Sequence, residues 1–174
     1  MTAVQPGAEP AVELGADPAL TPLVVLAPIP GRAVALETVP DPTFAQEIVG
    51  PGAAIDPPRE VVDAIAPIAG TVLKVFPHAY VIVSPQGVGV LVHLGIDTVE
   101  LAGAGFTLRV AQGDTVAAGD VIVSYDVPSV VASGRDPIAP VIVLDRTRAD
   151  IGLSDAVVAG LGLTAGDAFL TVNA

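Results

Sequence analysis

The sequence predicts an all-β protein: an antiparallel β-sandwich or barrel-like single domain with a few short helical turns. Three observations lead there. Aromatic residues make up only 3 % of a chain that is 52 % hydrophobic, so the core must be built mainly from Val, Ile, Leu and Ala. The 18 Gly and 17 Pro are spread along the chain and cut its Val-rich runs into pieces of strand length. No long amphipathic stretch intervenes to serve as the crossover helix of a parallel sheet.

Residues 1–22 are rich in Ala, Pro, Gly and Glu without apolar periodicity and read as a flexible N-terminal tail. Ordered structure is expected from Leu23, giving one domain over residues 23–174. The clearest strands are 23–27, 32–35, 70–75, 80–84, 88–93, 121–126 and 141–144, each a short apolar run bounded by Gly, Pro or charge. Residues 43–49, 97–101, 128–133 and 154–160 fit helical turns. An internal echo is visible: Ala27-Pro28-Ile29-Pro30-Gly31 recurs as Ala66-Pro67-Ile68-Ala69-Gly70, each followed by an apolar strand. Gly-Asp turn signals recur at Gly113-Asp114, Gly119-Asp120 and Gly166-Asp167.

Composition excludes several classes. A formal charge of −12 with a single lysine, Lys74, argues against nucleic acid, whose binding is led by Lys and Arg contacts to phosphate. An anionic surface suits a basic protein partner instead. Mean hydropathy is high at +0.70. Yet every apolar run is broken well short of the ~20 residues a spanning helix needs. The N-terminus has no basic region before an apolar one, so no signal peptide is expected. Zero cysteines exclude disulfides and a thiol nucleophile. The expected location is cytoplasmic.

The two histidines fall in one segment, His78 to His93, which reads as two apolar strands around Ser84-Pro85-Gln86-Gly87. If the hairpin centres between Pro85 and Gln86, His78 and His93 sit directly opposite each other on one sheet face. Opposed Cβ atoms lie roughly 4.5–5.5 Å apart, so the imidazoles would share one phosphoryl group or one metal ion. A one-residue slip would put them on opposite faces. A lone His in a Val-rich strand is more often a hydrogen-bonded core residue than a reactive one. Two meeting across a hairpin favour function, and a metal site, a proton relay and a phosphocarrier all fit. Zinc takes three or four protein ligands, so Asp97, Asp41 or a partner's carboxylate would have to complete it.

Val92-His93-Leu94-Gly95-Ile96-Asp97-Thr98-Val99-Glu100-Leu101 resembles the signature around the phosphorylated histidine of glucose-type enzyme IIA of the bacterial sugar phosphotransferase system. His78-Ala79-Tyr80 is similar to the segment holding that family's second active-site histidine. The stretch from Val39 to Gly52, Ala66-Pro67-Ile68-Ala69-Gly70-Thr71-Val72, Gly113-Asp114-Thr115-Val116 and the run from Pro137 to Val143 match in the family's order and spacing. Typical enteric members carry a longer loop before the histidine that His78 matches, with a threonine hydrogen-bonded to it; here the approach, Val75-Phe76-Pro77, is shorter, and Phe76 stands two residues before His78.

The resemblance implies a phosphotransferase component that acts as part of a relay. The phosphocarrier HPr donates a phosphoryl group to His93 at Nε2. His93 passes it to a cysteine of a separate IIB domain, and His78 steadies the charge in transfer. It implies a docking rim of Phe44, Phe76, Leu91 and Val99, with Asp41 and Asp97 meeting basic residues of the donor. Ordinary core packing is the alternative for the four apolar residues. A turn position is the alternative for Asp41, and a helix N-cap for Asp97. No cofactor is implied beyond a zinc ion held by His78 and His93 at a partner interface. Partners would be HPr, a IIB/IIC sugar permease at the inner face of the membrane, and regulatory protein targets.

Two other readings fit less well. A biotinyl or lipoyl carrier shares the Ala-Pro and Gly-Asp turns but needs a lysine at a hairpin tip, and Lys74 falls within a strand. A zinc peptidase on a related scaffold needs a His-x-His pair that the sequence lacks.

Overall fold

Val-rich runs cut short by turns become strands in a computed structural model, which describes residues 21–173; all but the last two residues of the expected tail lie outside it. The strands are β1 (Leu23–Leu26), β2 (Gly31–Ala35), β3 (Gly52–Asp56), β4 (Val61–Ile65), β5 (Gly70–Phe76), β6 (Ala79–Val83) and β7 (Gly89–His93). There follow β8 (Phe106–Leu108), β9 (Thr115–Val116), β10 (Val121–Asp126), β11 (Ala139–Val143), β12 (Ile151–Leu153), β13 (Gly162–Leu163) and β14 (Ala168–Val172). Three short helices intervene: α1 (Pro42–Ala45), α2 (Val127–Ala132) and α3 (Asp155–Ala159). No helix among the described residues is long and apolar enough to cross a membrane.

The strands form an eight-stranded sheet, β13-β2-β3-β11-β7-β6-β5-β9, and two three-stranded sheets, β1-β14-β12 and β4-β10-β8. Ladder pairings in all three are antiparallel, as the sequence predicts. The large sheet reads as a palindrome. β4 to β10 repeat, strand for strand, the arrangement of β1 to β3 with β11 to β14. Gly31 faces Leu163 as Gly70 faces Val116. The two sequence echoes meet in matched hydrogen bonds: Leu26 N–H to the Pro67 carbonyl and Ile65 N–H to the Pro28 carbonyl, both 2.9 Å. Ala27 N–H to the Asp167 carbonyl (2.7 Å) likewise mirrors Ala66 N–H to the Asp120 carbonyl (2.8 Å).

The centre of the large sheet, β3, β11 and β7, is covered on both faces, and alternation along a strand sorts its side chains between them. Val90 and Val92 of β7 join an inner cluster with Tyr80, Ile122 and Phe169. Leu91 packs against a second cluster of Leu36, Val39, Phe44, Ala54, Ile96, Ile138 and Ile142 on the opposite face. His93, two residues beyond Leu91, therefore faces this second cluster. The cover on that side is the β2–β3 connection with α1, a single turn shorter than the expected 43–49 helix. Asp41 caps it, accepting from Thr43 N–H at 2.9 Å. Glu47, left-handed at φ 56°, lies two residues past its end.

The hairpin register differs from the expected one. Ser84 N–H bonds the Val88 carbonyl (2.9 Å), Gly87 N–H bonds the Ser84 carbonyl (2.9 Å), and Val88 N–H bonds Ser84 Oγ (3.1 Å). With Gly87 left-handed at φ 87°, the loop is three residues, Pro85 to Gly87, and the pairing shifts by one. Ala79, not His78, lies opposite His93.

Candidate functional site

The slipped register does not separate the histidines. Strict alternation would send His78 to the face opposite His93. But His78 lies outside the strand, in the turn where β5 ends at Phe76 and β6 begins at Ala79, and alternation does not extend through a reversal. Leu94 N–H still bonds the His78 carbonyl at 2.7 Å, which carries the β6–β7 pairing one step beyond His93. The two rings meet edge to face, their centroids 5.2 Å apart at 72°.

Each ring has an aromatic neighbour. Phe44 of α1, 6 % exposed, lies 5.1 Å from the His93 ring. Phe76, half exposed at 51 %, stacks on His78 at 6.0 Å and 28°. Phe76, in the short approach to His78, thus packs its ring along one face of that imidazole.

His93 Nδ1 lies 2.6 Å from the Gly95 carbonyl. A carbonyl only accepts, so Nδ1 carries the proton and Nε2 keeps the free lone pair. Sequence inspection passes over Gly95, because its role belongs to its backbone. Its φ of 83° turns the chain back so that its own carbonyl faces the ring two residues earlier. Thr98, fully buried, seals the turn by donating from Oγ1 to the Leu94 carbonyl at 2.7 Å. A left-handed glycine two residues past a strand-end histidine is the one signal that could have revealed it.

Burial lowers the pKa of His93, outweighing the Gly95 hydrogen bond and the carboxylates of Asp41 and Asp97, which raise it. Burial and the neighbouring His93 lower that of His78. Both rings are therefore neutral at pH 7, and His93 presents a nucleophilic Nε2.

Of the expected rim, Val99 is 62 % exposed on the 3-10 turn Thr98–Leu101. Leu91 is half-buried and Phe44 buried, both in the second cluster, so packing accounts for much of what these two do. Asp97 occupies the N-cap position of the 3-10 turn, as the alternative reading expects, but in a left-handed conformation (φ 58°) and with no capping bond from its carboxylate. Among the described residues no three His, Cys, Asp or Glu side chains converge to hold a metal ion. A separate open cleft of about 480 Å³, lined by Pro30, Arg32, Asp56, Pro57, Leu163 and Asp167, shares no residue with the histidine site.

The family profile described as phosphoenolpyruvate-dependent sugar phosphotransferase system, EIIA 1, matches residues 23–149. The chain is similar to the PTS system glucose-specific EIIA component of Halalkalibacterium halodurans, with 43 % identity over 122 residues, 69 % of each chain. It is 47 % identical over 108 residues to the PTS system glucose-specific EIICBA component of Streptococcus pneumoniae, covering 61 % of this chain but only 15 % of that longer protein. Among solved structures, glucose permease IIA from Mycoplasma capricolum superimposes with a TM-score of 0.77 at 33 % identity. That match covers 87 % of this chain and 96 % of the other.

Proposed function

The chain belongs to the EIIA 1 (glucose-type) family of the sugar phosphotransferase system, and from that premise we propose that His93 carries the phosphoryl group, taking it from phospho-HPr and passing it to a cysteine of a IIB domain. The observation that supports this most is the bond between His93 Nδ1 and the Gly95 carbonyl beside the His78 ring.

The chemistry balances without a proton transfer at His93. The Nε2 lone pair attacks phosphorus, the N–P bond of the donor phosphohistidine breaks, and the donor imidazole leaves with the bonding pair. Positive charge grows on the His93 ring, and the Gly95 carbonyl, already aligned on Nδ1–H, stabilises it. In the second step a thiolate attacks phosphorus, an S–P bond forms, and His93 leaves as the same neutral Nδ1–H tautomer. The acceptor thiol belongs to another domain, since this chain has no cysteine.

His78 serves the phosphoryl oxygens. Burial, and then the neighbouring His93, keep its pKa low, but a phosphoryl dianion on His93 would draw a proton to His78 and favour an N–H donor. Transfer of this kind depends on positioning and electrostatics more than on covalent chemistry. Phe44 and Phe76 limit water around the two rings, and exposed Val99 with the carboxylates of Asp41 and Asp97 suits a partner with a basic, partly apolar face. A zinc ion held by the two histidines would need its further ligands from such a partner.

The test is incubation with enzyme I, HPr and phosphoenolpyruvate, followed by assay of acid-labile phosphate on the wild type, His93→Ala and His78→Ala. The wild type labels, His93→Ala does not, and His78→Ala labels but transfers slowly to IIB. Label that survives His93→Ala would sink the assignment.

A further inference from the structure

Residues 95–100 carry the carbonyl that holds His93 and two members of the rim, yet they hang from a loop far along the chain. Ile96 N–H donates to the Asp136 carbonyl (2.9 Å), Arg135 Nε donates to the Asp97 carbonyl (3.1 Å), and the Arg135 guanidinium pairs with Glu100 at 2.9 Å. The loop is itself anchored. Ile138 N–H bonds Asp136 Oδ1 at 2.9 Å, and the buried Tyr125 hydroxyl donates to the Pro137 carbonyl at 2.8 Å.

Asp97 is the weak point of this turn. It holds a left-handed conformation that costs a non-glycine residue energy, and its own carboxylate makes no capping bond in return. Within the turn its carbonyl accepts only a long bond from Glu100 N–H (3.3 Å); the further tie is Arg135, which grips the Asp97 carbonyl on one side and the Glu100 carboxylate on the other. A planar guanidinium can span two such acceptors; an ammonium is a point charge and cannot fix their relative orientation. The Glu100 side chain is 65 % exposed, so the pair contributes little to stability as an ion pair.

We propose that Arg135 is a positioning residue for phosphoryl transfer: it fixes the left-handed turn at Asp97 and so the direction in which Asp97 and Val99 meet the phosphoryl donor. This rests on the phosphocarrier reading above. The Gly95 carbonyl is braced separately by Thr98 and by Ile96 N–H on Asp136. Loss of Arg135 therefore affects docking chiefly and leaves the Nδ1–H form of His93 in place.

Rapid-quench transfer from labelled phospho-HPr, with thermal melts run alongside, tests this on the wild type, Arg135→Met, Arg135→Lys, Asp97→Asn and the double variant Arg135→Met/Asp97→Asn. Arg135→Met should raise the KM for phospho-HPr by about tenfold with the rate at saturation within about twofold, as expected for a charged rim contact. Arg135→Lys should restore only part of this. In the Asp97→Asn background the same Arg135 change should alter KM by clearly less than in the wild type, because only the Val99 contact is then left for it to misplace. Equal effects in both backgrounds, or a lowered melting temperature with unchanged KM, would overturn the proposal. A wild type that takes no label at all would instead overturn the phosphocarrier reading on which it stands.

Discussion

Gly95→Ala probes the turn that selects the His93 tautomer, and its cost can be worked from the structure. The residue sits at φ 83°, where an L side chain is strained, a penalty of about 1–2 kcal/mol. An added Cβ would also lie 2.5 Å from Thr98 Cγ2, and close to the Asp136 carbonyl at 3.2 Å. Overpacking of that kind costs about 1–3 kcal/mol. The sum is roughly 2–5 kcal/mol, or a fall in melting temperature of roughly 5–20 °C for a domain of this size. Thr98→Ser removes the methyl but keeps the hydroxyl that bonds the Leu94 carbonyl. The double variant should therefore regain the overlap part and keep the conformational part. At the site, displacement of the Gly95 carbonyl frees the imidazole, so nitrogen NMR should show both neutral tautomers of His93 in place of the Nδ1–H form alone. A Gly95→Ala melt within about 0.5 kcal/mol of wild type, which is the scatter of ordinary surface changes, would refute the packing argument. A single retained tautomer would refute its link to catalysis.

Three further outcomes follow from the same geometry. Phe44→Ala empties a buried site against His93; it should cost about 3–5 kcal/mol by denaturant unfolding and let the His93 pKa rise as water enters, and an unchanged NMR titration would count against burial as its main cause. Asp97→Asn removes a carboxylate that raises the His93 pKa, so the titration should move further down; an upward move would contradict the field described here. Both histidines titrate below their ordinary value of about 6.5, so the unfolded chain binds protons first as pH falls. Stability from this source is whole above pH ~6.5 and is lost on acidification from there towards the folded pKa values. Replacing both histidines with alanine should flatten that part of the unfolding curve, and a steeper slope would invert the sign argued here.

How much was legible in the sequence varies with the physics behind each feature. Strands β5, β6, β7 and β10 are runs of Val and Ile between turn residues, and pattern alone nearly bounds them. β3 was not legible. Its Ala53 and Ala54 are buried on opposite faces of the large sheet, so the strand shows neither alternation nor β-branched bulk. β9 and β13, of two residues each, exist only through their pairing with β5 and β2. The histidine pair was legible as a neighbourhood but not as a register, because one left-handed glycine in the Ser84 to Val88 loop shifts the ladder by one. The Gly95 carbonyl was hinted at only by a glycine two residues past His93, and the Arg135 tie was not legible at all. One is a backbone group, and the other joins residues 38 apart through a loop whose path the sequence does not announce.

The duplicated architecture explains why the fold carries one histidine site and not two. Arg32 faces Asp56 where Thr71 faces Val83, so Ile55 corresponds to Ile82; their partners Ala139 and Val90 then correspond, and Ile142 takes the place of His93. Val141 and Val92, equivalent by the same count, pair with each other, as residues on the dyad must. What breaks the symmetry is the connection between equivalent strands. β5 and β6 are joined by Pro77 and His78 alone, whereas β2 and β3 are joined by residues 36–51. The short connection puts a histidine in a tight turn beside His93. The long one folds back over the sheet, buries Ile142 completely, and ends its apolar cover with Phe44 against the edge of His93. A duplication with two short connections would leave both positions open to water, and one with two long connections would bury both. The mixed case leaves His93 half-buried, dry enough to stay neutral and open enough to meet a partner.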